Sequence, residues 1–110
     1  MEDCVFCKII KKEIPSEIVF EDDNFIAFKD INPKADLHIL IVPKRHIDNI
    51  DELEEKELVA DLIFLAKQIT KLFDVARSGY KLIFNVKAGG GQLINHIHLH
   101  LLAGENFQMP

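Results

Sequence analysis

Apolar and polar residues alternate one for one from His96 to Leu101, reading His-Ile-His-Leu-His-Leu. Helical residues advance by about 100° each, which would scatter His96, His98 and His100 around a cylinder, whereas a strand sends every second side chain to one face. The pattern predicts a strand with Ile97, Leu99 and Leu101 in a core and three imidazoles in a row opposite. Upstream the period changes. Val5, Phe6, Ile9 and Ile10 recur at helical spacing and predict a short helix from Cys4 to Lys12, closed ahead of Pro15. "EIVFEDD" and "NFIAFKD" predict a hairpin turning at Asp22, Asp23 and Asn24, and "LHILIVP", Leu37 to Pro43, predicts a buried strand. The apolar positions Val59, Leu62, Ile63, Ala66, Ile69 and Phe73 form one helical stripe, widened by Leu58, Leu65 and Leu72. They predict a long helix over residues 52–75, capped by Asp48 or Asp51. "YKLIFNV" is a further strand, and "KAGGGQL" is a flexible bend before the histidines. Strands in hairpin-like pairs with one long and one short helix imply an α+β domain built on a mainly antiparallel sheet. The wide stripe suits either a broad core face or a helix that also packs on a second subunit.

Composition narrows the class. With 110 residues and 48% hydrophobic content, residues 1–110 form one domain with a small core. The net charge is −5 and the Lys and Arg residues are dispersed, which disfavours nucleic acid and anionic membranes as partners. No apolar run reaches the roughly 18–20 residues that cross a bilayer, and "MEDCVFCKII" lacks the layout of a secretion signal, so a cytoplasmic location is expected. Cys4 and Cys7, the only cysteines, then suit a metal, a redox pair or apolar filler better than a structural disulfide.

Three roles compete for the histidine row: an exposed strand edge, metal ligation, and nucleophilic attack on phosphorus by a neutral imidazole. The preceding "AGGGQ", Ala88 to Gln92, offers backbone N–H groups unshielded by side chains and favours a phosphate. Neither a Gly-Lys-Ser/Thr triplet nor a following helix makes it a P-loop or a dinucleotide fingerprint.

"GGGQLINHIHLHLL" resembles the signature of the histidine-triad nucleotide-binding family, and "AFKDINP", "VPKRHI" and the short tail resemble its Hint branch. The resemblance spans nearly the whole chain. It implies an antiparallel meander of about five strands that dimerises into a continuous sheet. It also implies a nucleotidyl hydrolase acting on purine nucleoside 5′-phosphoramidates or acyl-nucleotides, with no cofactor in the chemistry. The alternatives are a nucleotide-binding scaffold dimer with weak catalysis and a dinucleoside polyphosphate hydrolase. By the resemblance, His98 takes the nucleotide onto Nε2, the main chain of His96 fixes its tautomer, and His100 holds a phosphate oxygen and helps protonate the leaving amine with a pKa near the working pH. Asn85 and the Gly91 and Gln92 amides complete a phosphate cradle. Asp30, without the resemblance a turn residue, becomes the ribose ligand for AMP or GMP conjugates, and Phe6, Ile9, Ile14, Phe28 and Ile31 become the base slot. Leu93 departs from the family's Ser or Thr. Cys4, Cys7, His46 and His96 match a structural zinc set found in some members.

Overall fold

The computed structural model describes residues 3–110 and contains a five-stranded antiparallel sheet with two helices. In chain order the elements are α1 (Val5–Ile10), β1 (Ile18–Glu21), β2 (Phe25–Lys29), β3 (Leu37–Pro43), α2 (Lys56–Leu72), β4 (Lys81–Ile83) and β5 (Leu99–Ala103). The spatial order β1-β2-β3-β5-β4 joins a three-stranded meander to a hairpin-like pair. β5 therefore lies in the middle of the sheet beside β3, with Leu40 opposite His100.

Period-two patterning sorts the side chains onto two buried faces. Phe25, Ala27, Ile39, Ile41, Leu99 and Leu101 face α2, which presents Leu62, Leu65, Ala66 and Ile69. Ile26, Phe28, Leu40 and Val42 face the other way, against Phe6 and Ile9 of α1. Burying an aromatic or aliphatic side chain contributes about 2 kcal/mol, so these two residues largely hold so short a helix in place. Asp22 makes the β1–β2 turn by accepting from the N–H groups of Asn24 (2.8 Å) and Phe25 (2.7 Å).

Several boundaries differ from the sequence expectation. The long helix starts at Lys56, because Asn49 instead caps a separate 3₁₀ turn, Ile50–Glu52, by accepting from the Glu52 N–H. Neither Asp48 nor Asp51 caps it; Glu55 occupies the N-cap without a side-chain hydrogen bond. β4 is three residues long, and β5 begins at Leu99, so His96 and His98 precede the paired strand. The glycine-rich bend contains a 3₁₀ turn, Ala88–Gly90. The imidazole row is covered rather than open: His96, His98 and His100 are 0%, 7% and 6% exposed. Among the described residues, no helix is long and apolar enough to cross a membrane.

Candidate active site

Every histidine has its protons placed by its neighbours. A carbonyl only accepts, so the 2.7 Å contact from His98 Nδ1 to the His96 oxygen puts the proton on Nδ1 and a lone pair on Nε2. The Lys34 N–H donates to His38 Nδ1 at 3.0 Å, so the proton of neutral His38 is on Nε2. That Nε2 lies 2.9 Å from His100 Nδ1, which accepts, leaving the His100 proton on Nε2. Side by side, with ring centroids 4.8 Å apart, are therefore an imidazole lone pair on His98 and an imidazole N–H on His100.

Burial keeps these rings neutral. Desolvation lowers the pKa of His98, against the His96 carbonyl and the Asp30 charge, which favour its protonation. It brings His100 down to about 3, helped by His98 and His38, and lowers His38 as well. The free protein thus differs from the expectation of a His100 titrating near working pH. Phe6 stands edge-on to His98 with centroids 5.0 Å apart and screens it from water on the α1 side.

One cavity of about 410 Å³ opens on this pair, a volume suited to a small ligand. Phe6, Ile9, Ile14, Phe28, Asp30, Ile31, Asn85, Gly91, Leu93, His98 and His100 all line it. Asp30 holds the loop after β2 by accepting from the Asn32 N–H at 2.9 Å. Gln92 and His96 lie outside the lining. The Gln92 side chain ties the glycine loop together, accepting from the Lys87 N–H and donating to the Asp48 and Ile94 carbonyls. The main-chain N–H groups of Gly91 and Gln92 donate to Ala88 and Lys87 within the loop, so they are already engaged rather than open to a phosphate. Among the described residues, the Leu93 N–H has no intramolecular acceptor.

Behind the triad the two cysteines meet two histidines. His96 Nε2 donates to the Pro43 carbonyl (2.8 Å) and His46 Nε2 to the Asp48 carboxylate (2.9 Å), so both rings turn a bare Nδ1 toward sulfur. The separations are 3.3 Å from Cys4 Sγ to His96, 3.6 Å from Cys7 Sγ to His96 and 3.3 Å from Cys7 Sγ to His46. Tetrahedral zinc with ordinary bond lengths needs about 3.5 Å between a sulfur and a nitrogen ligand. All four donor atoms lie within 4.8 Å of one another. The donor set, its spacing and its outer hydrogen bonds fit zinc. Asp30, His38 and His100 also cluster, but there the two imidazole nitrogens share a hydrogen bond.

The HIT domain family matches residues 11–107 of the chain. This protein belongs to the HIT family. It is 43% identical over 105 residues to the purine nucleoside phosphoramidase of Escherichia coli K12, a match covering 94% of this chain and 88% of that one. A HIT family hydrolase from Legionella pneumophila superposes with a TM-score of 0.91 at 46% identity, covering 98% of both chains. A zinc-bound histidine triad family protein from Mycobacterium smegmatis superposes at 0.85 with 29% identity, over 96% of this chain and 77% of that one.

Sequence reasoning missed His38, Leu40 and Asp48. The first two share a period-two register in "LHILIVP" with Val42, so that segment could have placed His38 on the triad's face; nothing marked Asp48 as the partner of His46. His38 holds the His100 tautomer, and replacing it by Gln should lower kcat on a nucleotide substrate about 10- to 100-fold, the scale of an orientation loss, with little change in KM. Steady-state kinetics with His38→Gln tests this; an unchanged kcat would remove His38 from the working site.

Proposed function

We propose that this HIT family hydrolase cleaves the P–N bond of purine nucleoside 5′-phosphoramidates, or the equivalent bond of acyl-nucleotides, through a nucleotidyl-His98 intermediate. The observation that carries this reading is the His98 Nε2 lone pair, fixed by the Nδ1–H contact to His96 and facing a nucleotide-sized cavity. The name of the E. coli relative supports the substrate class.

In the first step Nε2 bonds to phosphorus, the P–N bond breaks, and the departing nitrogen gains a proton. The negative charge of a bound phosphate opposes the desolvation that keeps the His38–His100 pair neutral. The pair takes up one proton with the ligand, and His100 Nε2–H delivers it to the amine. The Leu93 N–H and His100 serve the phosphoryl oxygens, as preorganised donors should. Water then attacks phosphorus as the His98 Nε2–P bond breaks and its electron pair returns to Nε2; the water's proton passes to the neutral His38–His100 pair, and the nucleoside monophosphate leaves. Asp30 takes the ribose hydroxyls, and the apolar slot of Phe6, Ile9, Ile14, Phe28 and Ile31 holds the purine by area, with little power to tell adenine from guanine.

Incubation with an adenosine 5′-phosphoramidate should release the free amine and AMP in a 1:1 ratio, with a pre-steady-state burst of amine marking the covalent species. No turnover would overturn the reading; turnover without attachment to His98 would overturn the mechanism.

Two further parts belong to this proposal. Cys4, Cys7, His46 and His96 hold a structural zinc that ties α1 to the triad segment and takes no part in the chemistry. The protein works as a homodimer. β4 is an open sheet edge, and Phe64 and Leu72 of α2 are 60% and 68% exposed; pairing two copies would cover both features. Light scattering at micromolar concentration should give twice the 12.6 kDa chain mass, and a monomer would refute the assembly.

A further inference from the structure

Cys4 and Cys7 are free thiols three positions apart, and the Cys7 N–H donates to Cys4 Sγ at 3.4 Å. Their sulfurs belong to a cluster whose ligand atoms all lie within 4.8 Å of one another, so turning the side chains brings the two to bonding distance without moving a second element. What the pair ties together depends on which bond it makes. As metal ligands the sulfurs would join α1 to His46, 39 positions from Cys7, and to His96, 92 positions from Cys4. As a disulfide they join only each other. The constraint from a cross-link grows with the length of chain it encloses, so the disulfide exchanges a domain-wide tie for one within a single turn and leaves α1 held by packing alone.

The same helix is a wall of the cavity. Cys7, Phe6 and Ile9 all belong to α1, with Cys4 at its cap; Phe6 and Ile9 line the cavity, and Phe6 stands edge-on to His98. A change of bonding at the sulfurs therefore reaches the nucleotide slot. The cluster is buried but not sealed. Beside Cys7 the His46 side chain is 17% exposed and its partner Asp48 is 57% exposed, so a molecule as small as hydrogen peroxide has an approach from that side.

We infer that Cys4 and Cys7 are a peroxide-sensitive modification site, whose oxidation to a disulfide releases zinc and loosens the α1 wall of the nucleotide cavity. This rests on the zinc site proposed above. One thiolate attacks a peroxide oxygen, the O–O bond breaks, and hydroxide leaves; the other thiolate attacks the resulting sulfenic sulfur, the S–S bond forms, and a second hydroxide leaves. The sulfurs lose two electrons, the peroxide gains them, and two protons from solvent turn both hydroxides into water. The disulfide offers no thiolate to a metal, and two imidazoles alone supply half of a tetrahedral set. A dithiol returns the two electrons and regenerates the site.

Zinc-loaded protein treated with a small excess of hydrogen peroxide should release its zinc to a chromophoric chelator and give an intact chain lighter by two hydrogens. It should then bind AMP about tenfold more weakly, the scale of a partly lost apolar wall. A dithiol with added zinc should restore both metal and affinity. Reduced protein stripped by chelator should bind AMP as weakly as the oxidised form, because the local disulfide ties α1 to nothing else. Cys7→Ser should start at the weak affinity and not respond to peroxide; a response there would put the oxidised group elsewhere and overturn the inference. Zinc retained under peroxide, a gain of oxygen with no loss of hydrogen, or an oxidised chain that binds AMP as tightly as the zinc-loaded one would each overturn the switch and leave the zinc site standing. Protein that holds no zinc when purified without chelator would overturn both. No AMP binding by zinc-loaded protein would overturn the link to the cavity together with the hydrolase reading.

Discussion

His98→Asn binds nucleotide and does not turn it over: kcat on an adenosine phosphoramidate falls about 10⁴-fold or more, the scale of losing a catalytic nucleophile, while the Kd for AMP changes by about threefold or less. Asparagine is the informative replacement because its side-chain N–H can still reach the His96 carbonyl that now accepts from His98 Nδ1 at 2.7 Å. The edge-on ring contact with Phe6 is lost, but the hydrogen bond to the main chain is kept while the lone pair that bonds phosphorus is removed. The base slot, Asp30 and His100 are untouched, so ground-state affinity should persist. Rapid-quench mass spectrometry supplies the second readout: wild type accumulates a chain heavier by one nucleotidyl group, and the variant does not. Retention of more than a tenth of wild-type kcat in His98→Asn would remove His98 as the attacking group.

The triad was legible in the sequence because strand periodicity and chemistry coincide there. Alternation placed His96, His98 and His100 on one face, and the structure puts Ile97, Leu99 and Leu101 into the α2 core opposite. "LHILIVP" gave β3 to the residue, since a continuous apolar run bounded by Pro43 and a basic stretch has few other outcomes. Less was readable where the decisive contact lies between distant segments. Neither Asp48 nor Asp51 caps the long helix, because the chain first makes a separate 3₁₀ turn capped by Asn49, which helical periodicity does not register. The glycines suggested free N–H donors, but a 3₁₀ turn satisfies those of Gly90, Gly91 and Gln92 internally. His38 was hidden because its role depends on a partner 62 positions away, and only the β3–β5 register brings the two together. The packing of Phe6 from α1 against His98 was also unreadable, and burial is what lowers the His98 pKa.

Cys7→Ser loses both zinc and much of the fold's thermal resistance. Cys7 is buried, and its sulfur reaches both His46 and His96, so it is the donor that links the two imidazoles. Burial and the neighbouring Cys4 raise the Cys7 pKa in the metal-free protein; a divalent ion reverses that preference by binding the thiolate. A serine hydroxyl stays protonated near neutral pH and is a far poorer ligand. Zinc in protein purified without chelator should fall from about one per chain to a small fraction, measured by elemental analysis. Without the metal, α1 is held mainly by Phe6 and Ile9, so a loss of about 2–3 kcal/mol is expected, equivalent to a Tm lowered by roughly 10–20 °C in a domain of this size. Chelator should produce the same drop in wild type and none in the variant. Unchanged zinc content in Cys7→Ser would refute the site. Activity should fall with the metal, though less steeply than in His98→Asn. His96 turns its ring to the two cysteines and its carbonyl to His98 Nδ1, so a loosened His96 blurs the aim of the nucleophile without removing it.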